Sequence, residues 1–501
     1  MNESKDIGKQ IGFWITRSRP GHGVAPLILA ILSFGFAGPA ADAAHASRTQ
    51  WSIFEEQRQL TRTDATTRAA VLDEISALGA DTLRVLVSWR DIAPDSSAKQ
   101  RPAFDADDPA AYPGFAAYDD VVAQATARGL RVLITLGGPA PVWATRDGRG
   151  DNYYPSAVEF ARFAAATGKR YSGSFAGLPR VQNWTLLNEP NHPQFLKPQS
   201  VHNSPSARIY RDLVAKGVPA LRAAGHTTST VLVGELAPGA PAGGPGPLGF
   251  LRSWLCLDKK YKRLRGRAAR GQSCASFKTV DADGFAIHAY TRPISNYRPR
   301  GDTISITVIR RLAKALDKAA RAGRLPARLP IYNTEFGIQT NPPDPFAGGG
   351  PAEQARIINE SEEFSYKYSR LRSYSQYLLY DDPPLTSGPV FNRYRGFQTG
   401  LRFTDARQKP AYDAYRFPIV VHRRGSGVLI WGRVRPGTGI RRVRLQRKGG
   451  SGFTKEATSI ATDASGYFTV TRGTSASYRF EASDGAGNAI GVSRVAKPVR
   501  F

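Results

Sequence analysis

From about residue 50 to 416, short apolar runs alternate with stretches in which apolar residues recur three and four positions apart. The short runs fall at 51–54, 82–87, 131–136, 181–187, 230–234, 284–289, 329–333 and 375–380, which makes eight. Several are apolar almost throughout, as strands are when both faces of a sheet are covered. Between them lie segments such as TRAAVLDEISALGA, SARIYRDLVAKGVPALRAAG and ITVIRRLAKALDKAARAG, whose spacing predicts amphipathic helices. Eight strand–helix repeats in succession predict a (β/α)8 TIM barrel over residues 47–416. After residue 417 the texture changes to short alternating runs (VLIWGRVR, RRVRLQR, GYFTVTR) separated by Gly, Ser, Asp and Thr. That pattern predicts a small all-β sandwich over 417–501.

Two insertions break the repeat, one at about 238–280 and one, NPPDPFAGGGP, after the seventh run. Both are expected at the C-terminal ends of the strands, where a barrel carries its active site.

The N-terminal segment, residues 1–46, changes the picture of where the protein works. Lys5, Lys9, Arg17 and Arg19 precede an apolar stretch from 24 to 36, and small residues follow up to Ala44-His45-Ala46. This is the layout of a cleavable signal peptide and predicts export. No other run is long and apolar enough to span a bilayer. In an exported chain the two cysteines, Cys256 and Cys274, are most simply a disulfide, although two buried thiols fit the same count.

The formal charge is +28. Residues 256–274 hold seven basic side chains and one acidic one, and 417–501 hold fifteen and four. Such patches suit an anionic glycan or a charged cell envelope, and equally a solvated arginine-rich surface. Without a recognised binding motif, nucleic acid is not an expected partner.

The candidate chemistry sits at two strand ends. In WTLLNEPNHPQFL an apolar run stops at Asn188-Glu189-Pro190, and in LPIYNTEFGIQT another stops at Glu335. An acid at the C-terminal end of a barrel strand reads as catalytic. Cleaving a glycosidic bond with retention needs two carboxyl groups about 5–5.5 Å apart, one protonated and one ionised. No metal or organic cofactor is required.

Asn-Glu-Pro after the fourth run and Thr-Glu-Phe-Gly after the seventh resemble the clan A glycoside hydrolases, which include the cellulase-type family 5 and xylosidase-type family 39 enzymes. The resemblance spans about 50–416. It implies a hydrolase of a β-linked glycan, with Glu189 as acid/base, Glu335 as nucleophile and Asn188 on the sugar 2-hydroxyl. It also places Arg84 near the nucleophile, where a structural ion pair would be the plainer role. His288 and Tyr290 of IHAY match sugar-lining and nucleophile-contacting positions, while a buried strand histidine can equally be a core group. Clan A barrels usually end the eighth strand in a tryptophan. Here YLLYDDPP puts Tyr380, Asp381 and Asp382 in that region, as sugar contacts or turn residues. Trp89, Trp143 and His192 lie just past strand ends and could line the cleft or pack in the core. A transglycosylase would use the same residues, and a non-catalytic carbohydrate-binding protein could keep the barrel. The C-terminal domain is expected to be a binding or spacer module.

Overall fold

The computed structural model describes residues 49–500 apart from 202–203, 242, 292–296 and 436–438. The segment 1–46, expected to be a signal peptide, lies outside the described residues. Eight parallel strands form one sheet: β1 (Trp51–Glu55), β2 (Thr82–Ser88), β3 (Arg131–Gly137), β4 (Asn183–Leu186), β5 (Thr230–Leu236), β6 (Gly284–Ile287), β7 (Ile331–Asn333) and β8 (Ser373–Tyr377). Neighbours follow chain order, β8 pairs with β1, and a bridge between Ile331 and Leu371 closes the ring. Seven of the eight predicted runs land on strands with ends shifted by a few residues. The eighth is displaced by more, because Leu378 takes a left-handed φ of 75° and ends the strand at Tyr377.

Helices such as Ala65–Ala77, Ala157–Arg170, Pro205–Leu221, Ile309–Arg321 and Pro351–Tyr366 surround the sheet. Their starts are written in the sequence: Asp64 and Ser156 accept from the backbone N–H groups of Thr67 and Glu159, and Pro205 and Pro351 occupy the first turn. The main core lies between sheet and helices and includes Val85, Ile134, Trp184, Phe285 and Tyr374.

The inside of the barrel follows the period of two along each strand. Low in the barrel, Ile53, Leu133, Leu232, Ala286 and Tyr332 form a small apolar plug. One step further along β1 and β3 the same face carries Glu55 and Thr135, and past the end of β6 it carries His288. The interior therefore turns from apolar to polar toward the strand C-termini. In β5 a register shift between Gly234 and Leu236 breaks the alternation, and Glu235 reaches Arg84 inside the barrel.

Residues beyond the barrel form two sheets, β14–β10–β9–β17 and β12–β11–β15–β16 with β13 on β11. The strands are β9 (Ile419–Arg424), β10 (Gly427–Arg433), β11 (Arg442–Gly449), β12 (Gly452–Lys455), β13 (Ile460–Ala461), β14 (Tyr467–Arg472), β15 (Tyr478–Ser483), β16 (Ala489–Val492) and β17 (Pro498–Val499). Val421, Ile430, Leu445, Phe468 and Phe480 fill the space between the sheets. The other face of the first sheet is also covered: Val420, Trp431 and Tyr467 pack with Tyr366 of the barrel helix Pro351–Tyr366. On that helix Glu362, 1% exposed, receives Arg435 at 2.6 Å and Arg433 at 3.4 Å, and both arginines also reach Ser52 Oγ of β1. This contact is buried, and its charges are matched across it.

The cysteine loop corrects one expectation. Cys256 and Cys274 form a disulfide. The insertion leaves β5 at the active-site end, but its helix Pro247–Trp254 carries the chain down the outside of the barrel. The loop that follows ends beside Ala322, where Arg263 Nε donates to the Ala322 carbonyl at 2.7 Å. Ala322 lies just past the C-terminus of Ile309–Arg321, and barrel helices run against the strands. The cysteine loop therefore sits at the pole opposite the active site and does not wall the cleft. The 341–351 insertion does stay at the active-site end, where Phe346 meets Phe391 with ring centres 5.2 Å apart.

Candidate active site

Five charged side chains meet at the strand C-termini around the guanidinium of Arg84, whose side chain is fully buried. Arg84 rises from β2 and binds Glu235 with two parallel contacts, Nε to Oε1 and Nη2 to Oε2, each 3.1 Å. This fork-to-fork geometry fixes the plane of the guanidinium. Nε also reaches Thr135 Oγ1 at 3.1 Å and Nη2 also reaches Asn188 Oδ1 at 2.6 Å, while Nη1 donates to Glu335 Oε2 at 3.1 Å and to Glu55.

Glu335 follows β7 and is 9% exposed. Its other oxygen, Oε1, accepts from the Tyr290 hydroxyl at 2.7 Å. Two donors on two different strands thus hold the carboxylate in one orientation. Glu189 follows β4 and is 14% exposed, with Oε1 at 2.9 Å from Nδ1 of His288. Its φ is 40°, and Leu187 and Glu235 are likewise left-handed, at 63° and 45°. Three non-glycine residues in this region concentrate backbone strain at two adjacent strand ends, as functional sites do. The backbone N–H of Glu189 donates to the Glu235 carbonyl at 3.0 Å and ties the two together.

His288 is fully buried and central. Besides Glu189, its Nδ1 lies 3.5 Å from Glu335 Oε2, and its Nε2 lies 4.0 Å from Glu235 Oε1. Burial alone would lower its basicity, but the charge of Glu335 and its contacts to Glu189 and Glu235 outweigh this and push it up to about 10. It is an imidazolium at neutral pH. Burial pushes the Glu189 carboxyl up, yet the His288 hydrogen bond and charge leave it below its ordinary value. Glu235, also buried, is drawn down to about 2, chiefly by Arg84. Glu55 goes the other way: burial, reinforced by the charge of Glu335, raises it to about 7 against the pull of Arg84. Four carboxyl groups thus occupy very different environments, the condition for dividing acid and base roles.

One oxygen each of Glu189 and Glu335 and one nitrogen of His288 all lie within 4.8 Å of one another. A carboxyl spacing of this order belongs with about 5–5.5 Å for retention and not with the 6.5–9.5 Å or so that leaves room for an inverting water. The same three atoms could grip a cation, but Arg84, 3.1 Å from Glu335 Oε2, already supplies positive charge at that oxygen.

The structure thus brings Arg84, Asn188, Glu189, His288, Tyr290 and Glu335 together. Asn188 uses its oxygen on Arg84, leaving its amide nitrogen without a protein partner among the described residues. Tyr380 lies elsewhere: it packs against the outer core with Glu74 and Arg402 as charged neighbours. Asp381 is buried against the Lys409 ammonium at 2.7 Å, and Asp382 accepts from the Phe397 backbone at 2.9 Å. The position expected for Tyr380 is taken by Tyr377, which pairs in register with Glu55 and feels the charge of Glu335. Trp89 stacks on Phe163 at 5.4 Å and Trp143 meets it edge-on at 6.2 Å, so both are core. His192 is buried beside Glu189, and burial holds its basicity down.

Glu55 and Glu235 were missed by the sequence reading, although the rule that singled out Glu189 and Glu335 would have found them. The expected strands stopped at 54 and 234, one residue short of each.

The fold is similar to that of a family 39 glycoside hydrolase from the gut symbiont Bacteroides cellulosilyticus, with a TM-score of 0.49, 16% identity, and coverage of 85% of this chain and 82% of that one. It is similar also to a monomeric β-xylosidase from Caulobacter crescentus, with a TM-score of 0.48, 14% identity, and coverage of 85% and 95%. No curated protein sequence matches the chain. The model of the cellulase family, glycosyl hydrolase family 5, matches residues 43–354. A family match over more than half of the chain, on a barrel whose strand ends bring two carboxyl groups to the retaining distance, makes this protein a member of glycosyl hydrolase family 5 and a retaining glycoside hydrolase.

Proposed function

We propose that the protein is exported and hydrolyses a β-linked glycan by double displacement, with Glu335 as nucleophile and Glu189 as acid and then base. The observation that carries the assignment is the asymmetry of the two carboxyl groups across a gap of at most 4.8 Å. Glu335 accepts hydrogen bonds from Arg84 and Tyr290, which suit a carboxylate that attacks. Glu189 shares a hydrogen bond with a protonated imidazole, which suits a group that gives and takes a proton.

In the first step a Glu335 oxygen attacks the anomeric carbon and the bond to the leaving oxygen breaks. Glu189 delivers the proton that the leaving oxygen takes up, drawing it from the adjacent imidazolium, so that the pair is left as carboxylate and neutral imidazole, one proton short, until the second step. In the second step water attacks the glycosyl ester, its proton passes to Glu189, and Glu335 leaves as carboxylate. The free amide of Asn188 is suited to the 2-hydroxyl of the sugar. The choice of a β-linkage follows the family, whose name-giving substrate, cellulose, is β-linked. Export rests on the basic, apolar and small-residue order of the N-terminal segment.

The test is a panel of aryl β-glycosides (gluco, manno, galacto and xylo) with the mature protein. Glu189→Ala should cost on the order of 10²–10⁴-fold in kcat, and Glu335→Ala should abolish turnover. Added azide should rescue Glu189→Ala with the β-glycosyl azide as product and Glu335→Ala with the α-azide. The opposite pairing would exchange the two roles, and turnover that survives both substitutions would sink the assignment.

A further inference from the structure

A dense patch of positive charge lies at the pole opposite the catalytic cluster. There the cysteine loop, the end of helix Ile309–Arg321 and the chain entering β7 and β8 enclose two adjoining recesses of about 910 and 710 Å³. Arg321 lines both, so they form one trough. Nine cationic side chains line it against two acidic ones. Both acids are already engaged: Asp258 accepts from the backbone of Lys260 and Lys262, and Asp317 is paired with Arg370 at 2.8 Å. Among the described residues, Lys260, Lys262, Arg265, Arg321, Arg328 and Arg372 line the trough, are exposed and make no ion pair.

So many unpaired like charges repel one another and disfavour the compact fold, so an anionic ligand would relieve a strain that the protein itself leaves in place. Four of the six are arginines, whose planar fork matches a carboxylate. The disulfide closes the loop that carries half of these cations and limits how far they can spread.

We propose that this trough binds a linear acidic polysaccharide, a chain of uronate sugars, and tethers the enzyme with its catalytic mouth facing away from the tether. The choice of a carbohydrate among polyanions rests on the glycoside hydrolase reading, whereas the trough and its charge do not.

The experiment measures binding of the full chain to polygalacturonate and to neutral hydroxyethyl cellulose, at low and high salt, with aryl-glycoside turnover followed in the same samples. The wild type should prefer the polyuronate and lose it near 0.5 M salt, where exposed charges are screened within a few ångströms, about 4 Å. The triple variant Lys262→Glu/Arg321→Glu/Arg372→Glu should bind at least ~10-fold more weakly, with its turnover of aryl glycosides unchanged. Arg442→Glu/Arg444→Glu, on β11 of the sandwich, should leave binding intact. The proposal is overturned if the triple variant binds as well as wild type or if neutral glycan binds equally. It is overturned as well if single-stranded DNA or phosphatidylserine vesicles bind as tightly as the polyuronate. A protein that binds polyuronate through the trough yet turns over no glycoside would instead sink the catalytic reading alone.

Discussion

Nδ1 of His288 lies 2.9 Å from Oε1 of Glu189, at the end of two strands that are not neighbours in the sheet. A charge-assisted hydrogen bond therefore joins the two side chains at the mouth of the barrel, and other charges of the site surround it. Glu235 and Glu335 hold the imidazole in its charged form from two further directions.

His288→Gln removes the proton store without removing Glu189. With aryl glycosides whose leaving groups need protonation, kcat should fall on the order of 10²-fold. With dinitrophenyl glycosides, which leave without a proton, the loss should be much smaller. An equal loss across a leaving-group series would mean that His288 only supports the fold.

The site also sets a pH dependence on stability. His288 is raised from 6.5 to about 10, so its contribution is fully present below 6.5 and is lost as the pH rises through 10. Glu235 is lowered from 4.5 to about 2, so its contribution is present above 4.5 and is lost as the pH falls through 2. Denaturant midpoints measured from pH 6 to 10.5 should decline for the wild type and decline less for His288→Gln.

Glu235→Ala strips Arg84 of its two-pronged partner and leaves a buried guanidinium short of compensation. Breaking such a pair costs about 3–5 kcal/mol. Chemical denaturation should show this loss, and activity should fall as well, since Arg84 then swings away from Glu335. Glu235→Gln, which keeps the shape and loses the charge, should recover part of the stability and little of the rate.

The sandwich should prove inseparable from the barrel. Deleting residues 417–501 exposes Tyr366 and leaves Glu362 without Arg433 and Arg435. The truncated chain should aggregate or melt far below the full one, and small-substrate turnover should fall with it. In the full chain, Glu362→Ala should cost about 3–5 kcal/mol by leaving two arginines buried without their carboxylate. Unchanged melting of the truncated barrel would restore the view of the domain as an independent module.

Reducing the Cys256–Cys274 bond, which spans 18 residues, should cost about 3 kcal/mol by freeing the unfolded chain. Because the loop lies at the far pole, turnover of small glycosides at a temperature where the protein stays folded should not change. A loss of turnover would bring the loop back to the cleft.

What the sequence determined by itself was whatever is local or periodic. Strand and helix periods gave the eight repeats, and the abrupt ends at Glu189 and Glu335 singled out the two carboxyl groups that meet in the site, because an acid that stops an apolar run is visible along the chain. The cysteine pair was legible for the same kind of reason. The tertiary structure decided what depends on where strands stop and which way loops travel. A single residue at each strand end concealed Glu55 and Glu235, and a left-handed Leu378 put Tyr377 where Tyr380 was expected. Whether the cysteine loop crowned the cleft or hung beneath the barrel turned on one short helix, Pro247–Trp254, that reverses the chain. The hydrogen bond between Glu189 and His288 depended on the structure most of all, since it forms only where four carboxyl groups and two cations converge from strands far apart in sequence.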